Sequence, residues 1–134
     1  MDDIIETARE CGSFKTLLNA LETAGLKDLL INKGPFTLYA PDDDAFSTFS
    51  EKELDNLLAD KEELKQILLY HITGGKAMLQ DAVQLKSMRT LQGGDIIAEE
   101  SGDDVNVNNA KVVHSDIECT NGVIHSIDRL LNPE

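Results

Sequence analysis

Residues 34–46 read Gly-Pro-Phe-Thr-Leu-Tyr-Ala-Pro-Asp-Asp-Asp-Ala-Phe, and this stretch contains a change from extended chain to helix. Residues 36–40 are rich in β-forming side chains that alternate in part, which predicts a strand ended by Pro41. The three aspartates that follow predict a turn into a short helix, because acidic side chains are favourable at the positive end of the helix dipole. A calcium loop is not predicted here, because the glycine and distal glutamate that it needs are out of place.

The chain before this stretch is predicted to be helical. Its leucines recur at three- and four-residue spacing, which is the pattern of helices with one buried face. Ser13 is a candidate N-cap, Gly25 marks a break between two helices, and Gly34-Pro35 ends them. The leucines are Leu17, Leu18, Leu21, Leu26, Leu29 and Leu30.

The chain after this stretch predicts further helices. Ser50 and Glu53 have the spacing of a capping box, which places the start of one helix at Ser50. Asp60 gives a similar signal for the next helix, which is predicted to run through His71 and to end at Gly74-Gly75. A short helical segment is predicted over residues 78–83.

The last third of the chain has the pattern of short strands separated by Gly, Asn and Asp. Asn108-Asn109 is predicted to form a tight hairpin turn, because asparagine tolerates positive φ. Asn121-Gly122 is predicted to be the turn that begins a last apolar strand. Helices first and strands later predict an α+β fold with an antiparallel sheet. No linker or repeat divides the chain, so residues 1–134 are predicted to form one domain.

Composition argues against two kinds of partner. The 134 residues include 25 Asp and Glu against 12 Lys and Arg, which gives a formal net charge of −13. Such a surface repels phosphate backbones and anionic headgroups, so neither nucleic-acid binding nor attachment to membranes by charge is expected. No apolar run reaches the roughly 18 residues of a membrane-spanning helix, and the acidic start has no signal peptide. The chain is predicted to be either cytoplasmic or the mature or excised part of an exported protein.

The sequence contains no motif for catalysis or for a cofactor. It has no Gly-x-Ser-x-Gly elbow and no phosphate-binding loop, so the chain is not expected to be an enzyme or to need a cofactor. The three histidines share no metal-ligand spacing, so no metal site is predicted. His71 and His125 are expected to be core residues bonded to backbone or hydroxyl groups. Cys11 and Cys119 are expected to be two independent buried thiols, with a disulfide as the alternative.

Three segments in order resemble the fasciclin (FAS1) domain family. Residues 34–46 resemble its first conserved block. Leu68-Leu69-Tyr70-His71-Ile72 is similar to its central Tyr-His motif. Residues 120–128, Thr-Asn-Gly-Val-Ile-His-Ser-Ile-Asp, are similar to its second conserved block, and residues 130–133 close the chain as the family does. The resemblance covers essentially the whole chain.

The resemblance implies an α+β fold in which a wedge-shaped antiparallel β-sandwich or barrel has helices packed along one side. It implies a non-catalytic adhesion module, extracellular or at the cell surface, that binds cell-surface or matrix proteins or polysaccharides. This segment is not expected to insert into a membrane, and the isolated domain is expected to be a monomer. The family's blocks are largely structural, which assigns a polar framework between strands and helices to Thr37, His71, Asn121, Gly122 and His125.

Two binding surfaces follow from the resemblance. Some animal members bind integrins through an Asp-Ile pair just before the second block, and Asp116-Ile117 stands in that place here. Other members use the Tyr-His region, which is Tyr70 and His71 with their aliphatic neighbours. Cys119 departs from the small residue that the family commonly has near this pair. The alternative function is binding of a small molecule or polysaccharide in a groove between helices and sheet.

Overall fold

Seven helices and seven strands occur in the part of the chain that the structure describes. This computed structural model describes residues 3–12, 14–32, 34–47, 50–102, 104–108 and 110–129. In chain order the elements are α1 (Ile4–Cys11), α2 (Lys15–Thr23), α3 (Lys27–Asn32), β1 (Phe36–Pro41), α4 (Asp43–Phe46), α5 (Glu51–Ala59), α6 (Lys61–Leu69), β2 (Ile72–Gly74), α7 (Leu79–Leu85), β3 (Ser87–Arg89), β4 (Asp95–Ser101), β5 (Asp104–Val107), β6 (Ala110–Cys119) and β7 (Gly122–Ile127).

Local side chains cap several of the helices. Asp3 accepts a hydrogen bond of 2.9 Å from the Glu6 amide at the start of α1. Ser50 and Asp60 each accept one of 3.1 Å from the amide three residues later. Such bonds satisfy N–H groups that have no partner within the helix. The predicted helix starts at Ser50 and Asp60 are confirmed, whereas Ser13 lies outside the described residues.

Helix α2 is capped by a residue distant in sequence. The amide of Thr16 donates to Oδ1 of Asp43 at 3.0 Å. Asp42, the residue before Asp43, caps α4 itself by accepting from the Ala45 amide at 2.8 Å. The aspartate run therefore begins a short helix, as predicted, and also holds that helix against the start of α2.

The strands form a nearly closed barrel. Their order in the sheet is β2-β1-β7-β6-β5-β4-β3. A bridge between Thr73 and Thr90 and a 2.9 Å bond from the Leu91 amide to the Ile72 carbonyl connect the two outer strands. Helices α1, α2, α3 and α6 pack on one side of this sheet, which confirms the predicted α+β fold, whereas α7 packs against β3 and β4. Neighbouring described strands are antiparallel except β1 and β7, which run parallel from Phe36↔Gly122 to Pro41↔Ile127.

Strand β2 corrects one sequence prediction. The helix predicted to continue to Gly74-Gly75 ends at Leu69 instead, and residues 72–74 pair with β1. Ile72 and Thr73 are β-branched, and they fit a strand beside Leu38 and Thr37 better than the end of a helix.

The core lies on both faces of β1 and β7, whose residues are all buried. One face contributes Leu38 and Ile124 to a cluster with α1, α2, α3 and α6. The other face contributes Tyr39 and Ile127 to a cluster inside the barrel. These two strands are therefore the central layer of the molecule, with one hydrophobic cluster packed on each face.

The two cysteines differ in exposure. Both thiols are free, and Cys119 is buried whereas Cys11 is exposed. The prediction of two buried thiols is wrong for Cys11, because its side chain lies at the last turn of α1, on the rim of a groove. Burial raises the pKa of both thiols, and the neighbouring Glu10 carboxylate adds to this effect at Cys11.

Candidate functional site on strand β6

Strand β6 is irregular in its middle. Its pairing with β7 shifts register twice, between Val112 and His114 and again between His114 and Ile117. Asp116 has a φ of 59°, which aspartate tolerates better than most residues with a Cβ. Extra residues in one strand push that strand outward and aim its side chains away from the sheet. Residues 113–117, called the β6 bulge below, are exposed except for half-buried Ile117.

Asp116 is held in place by two neighbouring segments. Its backbone amide donates to Nδ1 of His125 at 3.1 Å. Its carboxylate Oδ1 accepts from the Leu79 amide at 2.8 Å. The side chain nevertheless keeps 43% of its surface exposed. The carboxylate is thus fixed in direction while one side of it still faces solvent.

His125 connects the bulge to the segment before α7. It has no exposed surface, and its Nε2 donates to the carbonyl of Ala77 at 2.8 Å. Because Nδ1 accepts from the Asp116 amide, the neutral ring with its proton on Nε2 satisfies both bonds. Burial lowers the pKa of His125, and the Ala77 carbonyl and the Asp116 carboxylate partly oppose that effect.

Thr37 anchors the same segment from the opposite side. Its hydroxyl donates to the Gly75 carbonyl at 2.7 Å and accepts from the Ala77 amide at 2.8 Å. Thr37 has no exposed surface. One chain of hydrogen bonds therefore runs from β1 through residues 75–79 and His125 to Asp116.

Ile117 and Cys119 lie where the bulge returns to regular pairing. Ile117 pairs with Ile124 of β7 and packs partly against the core on the helical side. Its side chain is half-buried, so part of its apolar surface remains accessible. Cys119 is buried within that core, so it supports the strand without contributing to its surface.

Asn121 and Gly122 connect three elements at the start of β7. The Asn121 side chain accepts from the Ile4 amide at 3.0 Å and donates to the Leu30 carbonyl, while its backbone carbonyl accepts from the Phe36 amide at 2.9 Å. At Gly122 a Cβ would lie 1.9 Å from the Phe36 carbonyl oxygen. Both residues lie between elements and away from the bulge surface.

Tyr70 and His71 lie in the interior. Tyr70 is 6% exposed, and its hydroxyl donates to the Asp95 carbonyl at 2.6 Å and accepts from Asn108 at 3.0 Å. His71 has no exposed surface, and its Nδ1 donates to the Ile67 carbonyl at 2.7 Å. In the folded domain these two side chains have almost no exposed surface, and their contact with a partner stays a prediction.

A groove beside the bulge had not been located by sequence reasoning. It has a volume of about 670 Å³ and lies between the α1–α2 junction, α4 and the middle of β6. The carboxylates of Asp42, Asp43 and Asp44 line it, and Ile117 lines it from the β6 side. The three consecutive aspartates were the sequence signal that could have indicated this groove. From their position in the sequence, however, only a role in capping a helix could be predicted.

A family model described as the fasciclin domain matches residues 12–133 of the chain. The chain belongs to the fasciclin family. This fasciclin domain is 39% identical over 132 residues to human periostin, covering 96% of the chain and 16% of periostin. It is 36% identical over 131 residues to an uncharacterized protein of Synechocystis sp., covering 98% of each.

A solved structure shows the same fold. It is the FAS1 domain pair of the insect cell adhesion molecule fasciclin I, with a TM-score of 0.82 at 22% identity, and the match covers 99% of this chain and 51% of that one. The fasciclin domain described here therefore spans about half the length of that pair and about a sixth of periostin.

The described residues provide neither a cluster of metal ligands nor a membrane-spanning helix. Among the residues whose structure is described, His, Cys, Asp and Glu side chains nowhere gather in a group of three or more that could hold a metal ion. Over the same part of this fasciclin domain, none of the helices has the length and apolar character needed to cross a membrane.

Proposed function

We propose that this fasciclin domain is a non-catalytic adhesion module, extracellular or at the cell surface, and that the β6 bulge is its contact surface. Asp116 and Ile117 contact the partner, which is a protein or polysaccharide of a cell surface or matrix. Membership of the fasciclin family supports this proposal, as does the fold shared with an insect cell adhesion molecule.

The observation that carries the proposal is the fixed geometry of the bulge. Hydrogen bonds from two segments hold Asp116, yet its carboxylate remains 43% exposed. Ile117, the next residue in the chain, is half-buried, and Val113 of the same bulge is 40% exposed, so both offer apolar surface. A contact surface that is already ordered loses little entropy when it binds, so its contacts contribute more fully to affinity.

The negative charge of the domain favours a basic partner surface and makes binding sensitive to salt. A net charge of −13 attracts a basic partner surface and repels an acidic one. Exposed charges are screened over about 10 Å at 0.1 M salt, so binding should weaken as salt rises. Affinity per domain is expected to be modest, and several copies on one surface would strengthen attachment by avidity.

Substitutions at Asp116 and Ile117 test the contact surface. We expect Asp116→Asn and Ile117→Ala each to weaken binding to whole cells or matrix-coated surfaces by about fivefold to tenfold, since each removes a central contact. Asparagine tolerates the positive φ of position 116 and can still accept from the Leu79 amide, so it removes the charge and leaves the bulge in place. Binding is measured at low and high salt on surfaces of known composition.

The matched control is Glu99→Gln, which removes an exposed carboxylate from β4. Its binding should equal that of the wild type, and thermal melting should show that all three variants remain folded. Wild-type binding by Asp116→Asn and Ile117→Ala would exclude the bulge as the contact surface. Absence of wild-type binding to every cell and matrix surface would contradict adhesion by this domain.

A second candidate function uses the groove beside the bulge. The groove lies between helices and sheet, has a volume of about 670 Å³ and is lined by several polar residues. These properties suit a small molecule or a segment of polysaccharide. Titration with soluble oligosaccharides, followed by amide chemical shifts, tests this function directly. Saturable shifts at residues 42–44 and 114–117 would support it, and unchanged spectra would contradict it.

A further inference from the structure

One carboxylate oxygen of the β6 bulge lies near two nitrogens. Oδ1 of Asp116 accepts from the Leu79 amide at 2.8 Å, and it is 3.9 Å from Nδ1 of His125. The neutral ring does not donate to this oxygen, because its Nδ1 accepts from the backbone amide of Asp116 at 3.1 Å. The arrangement of the bulge therefore depends on His125 having no proton on Nδ1.

A second proton on His125 is incompatible with this arrangement. Nε2 already donates its proton to the Ala77 carbonyl at 2.8 Å, so an added proton must go to Nδ1. Two donors, the protonated Nδ1 and the Asp116 amide, would then face each other across 3.1 Å. The hydrogen bond that holds the Asp116 backbone would be lost, and the new proton would need an acceptor.

The Asp116 carboxylate can become that acceptor after a small movement. Its side chain is 43% exposed, and Oδ1 has to approach Nδ1 by only about 1 Å to reach the length of a charge-assisted hydrogen bond. That movement takes Oδ1 away from the Leu79 amide. The φ of 59° at Asp116 is also released when its amide loses its acceptor, since residues with a Cβ favour negative φ. The bulge thus has a second arrangement within reach.

The other titratable groups around His125, among the residues that the structure describes, are less suited to accept this proton. Tyr39 lies beside the ring on β1 with the ring centres 5.5 Å apart, and burial raises the pKa of Tyr39, so its hydroxyl stays neutral. His114 is exposed on β6, and α1 packs on the other face of β7, where Ile124 lies. The charged side chains of the remaining neighbours have partners of their own: they are Lys76 with Glu118, Lys111 with Asp104, and Asp81 with the Met78 amide.

We infer that the β6 bulge is a pH-controlled contact surface, in which the neutral ring of His125 positions Asp116 for the partner and the protonated ring withdraws its carboxylate. The inference rests on the proposed adhesive function, since it concerns the same carboxylate. In acid, Asp116 forms an ion pair with the ring, and a basic partner loses the charge that it would contact. Histidine is the side chain suited to this control near neutral pH. Burial lowers the pKa of His125 below its ordinary value of 6.5, so the binding form is present at pH 7 and is lost in acid.

Titration of the whole domain tests the movement without a partner. Amide and imidazole chemical shifts are followed from about pH 7.5 to about pH 4.5. We expect the amides of Leu79 and Asp116 to shift with the same midpoint as the His125 ring. The amides of Leu17 and Val107, one in each hydrophobic cluster, should keep their positions across that midpoint. In Asp116→Asn the ring should protonate at lower pH, because the carboxylate that favours the charged ring is gone.

Binding to cells or matrix-coated surfaces should follow the same titration. We expect wild-type affinity to fall about fivefold to tenfold across the His125 midpoint, the loss expected for removal of the Asp116 charge. His125→Asn does not titrate and keeps an acceptor near the position of Nδ1, so its binding should vary little over this range. His114→Gln is the matched control, because it removes the exposed histidine of the bulge, and its affinity should fall as in the wild type.

The results separate the inference from the proposed function. Protonation of the ring without shifts at Leu79 and Asp116, or loss of the Leu17 and Val107 signals at the same midpoint, would overturn the inference. Surface binding that stays constant while the ring is protonated would also overturn it, whereas the adhesive function stands. Coupled shifts in a domain that binds no surface would support the positioning role of His125 and contradict the adhesive function. If His125→Asn does not fold, the titrations of the wild type and of Asp116→Asn decide.

Discussion

Replacing Gly122 with alanine is expected to lower the free energy of unfolding by at least about 3 kcal/mol. The added Cβ would lie 1.9 Å from the carbonyl oxygen of Phe36, a backbone atom that cannot rotate away. Gly122 also has a φ of 157°, which residues with a Cβ rarely adopt. Because Gly122 begins the parallel pairing of β1 with β7, relief of the clash requires the two central strands to separate.

Gly74→Ala provides a matched control on the other side of Phe36. Gly74 pairs with Phe36 from β2, and a Cβ placed there would meet no atom within 4 Å. We expect its free energy of unfolding in urea to stay within about 1 kcal/mol of the wild type. Gly122→Ala should instead melt about 10 °C lower or remain unfolded. Equal melting temperatures for the two variants would show that the close approach of Gly122 to Phe36 does not occur in solution.

Acid is expected to destabilise the domain through His71. Burial lowers the pKa of His71 to about 4, below its ordinary value of 6.5. Between these two values the unfolded chain binds a proton that the folded domain excludes, so stability falls as the pH drops from 6.5 towards 4 and this effect levels off below 4. The shift corresponds to roughly 3 kcal/mol. His125 acts in the same direction, because its pKa is also lowered.

The pH dependence of His71→Gln isolates this contribution. Glutamine does not titrate, so this variant should be less stable than the wild type at pH 7, and the difference should shrink by roughly 3 kcal/mol at pH 4. His114→Gln, which replaces an exposed histidine, is the matched substitution for comparison. Urea unfolding at several pH values provides the free energies. If the free energies of unfolding of wild type and His71→Gln changed in parallel with pH, His71 would not be the source of the acid destabilisation.

Local signals predicted much of the fold. The caps at Ser50 and Asp60 could be inferred because each involves residues only three positions apart. The strand before Pro41 and the turn at Asn121-Gly122 were likewise found from short patterns of β-forming and turn residues. Resemblance to the fasciclin family added the arrangement of these elements, which periodicity alone does not specify.

Long-range contacts could not be predicted from local patterns. Asp43 caps a helix that begins 28 positions earlier in the chain, at Lys15, and β1 pairs in parallel with a strand some 86 residues away. Strand β2 has only three residues, too few for a period to be visible. The groove and the bulge arise where such distant pieces meet. Asp116 and Ile117 were named from sequence, but the hydrogen bonds that position Asp116 come from residues 79 and 125.

The position of Ile4 has a mechanical consequence. The amide of Ile4 is bonded to Asn121 at the beginning of β7, and the described chain leaves β7 at its other end, beyond Ile127. Tension applied between these two points therefore acts along the length of β7. The six rungs with β1 and the pairing with β6 are then loaded together in shear, so they resist as a group instead of opening one by one.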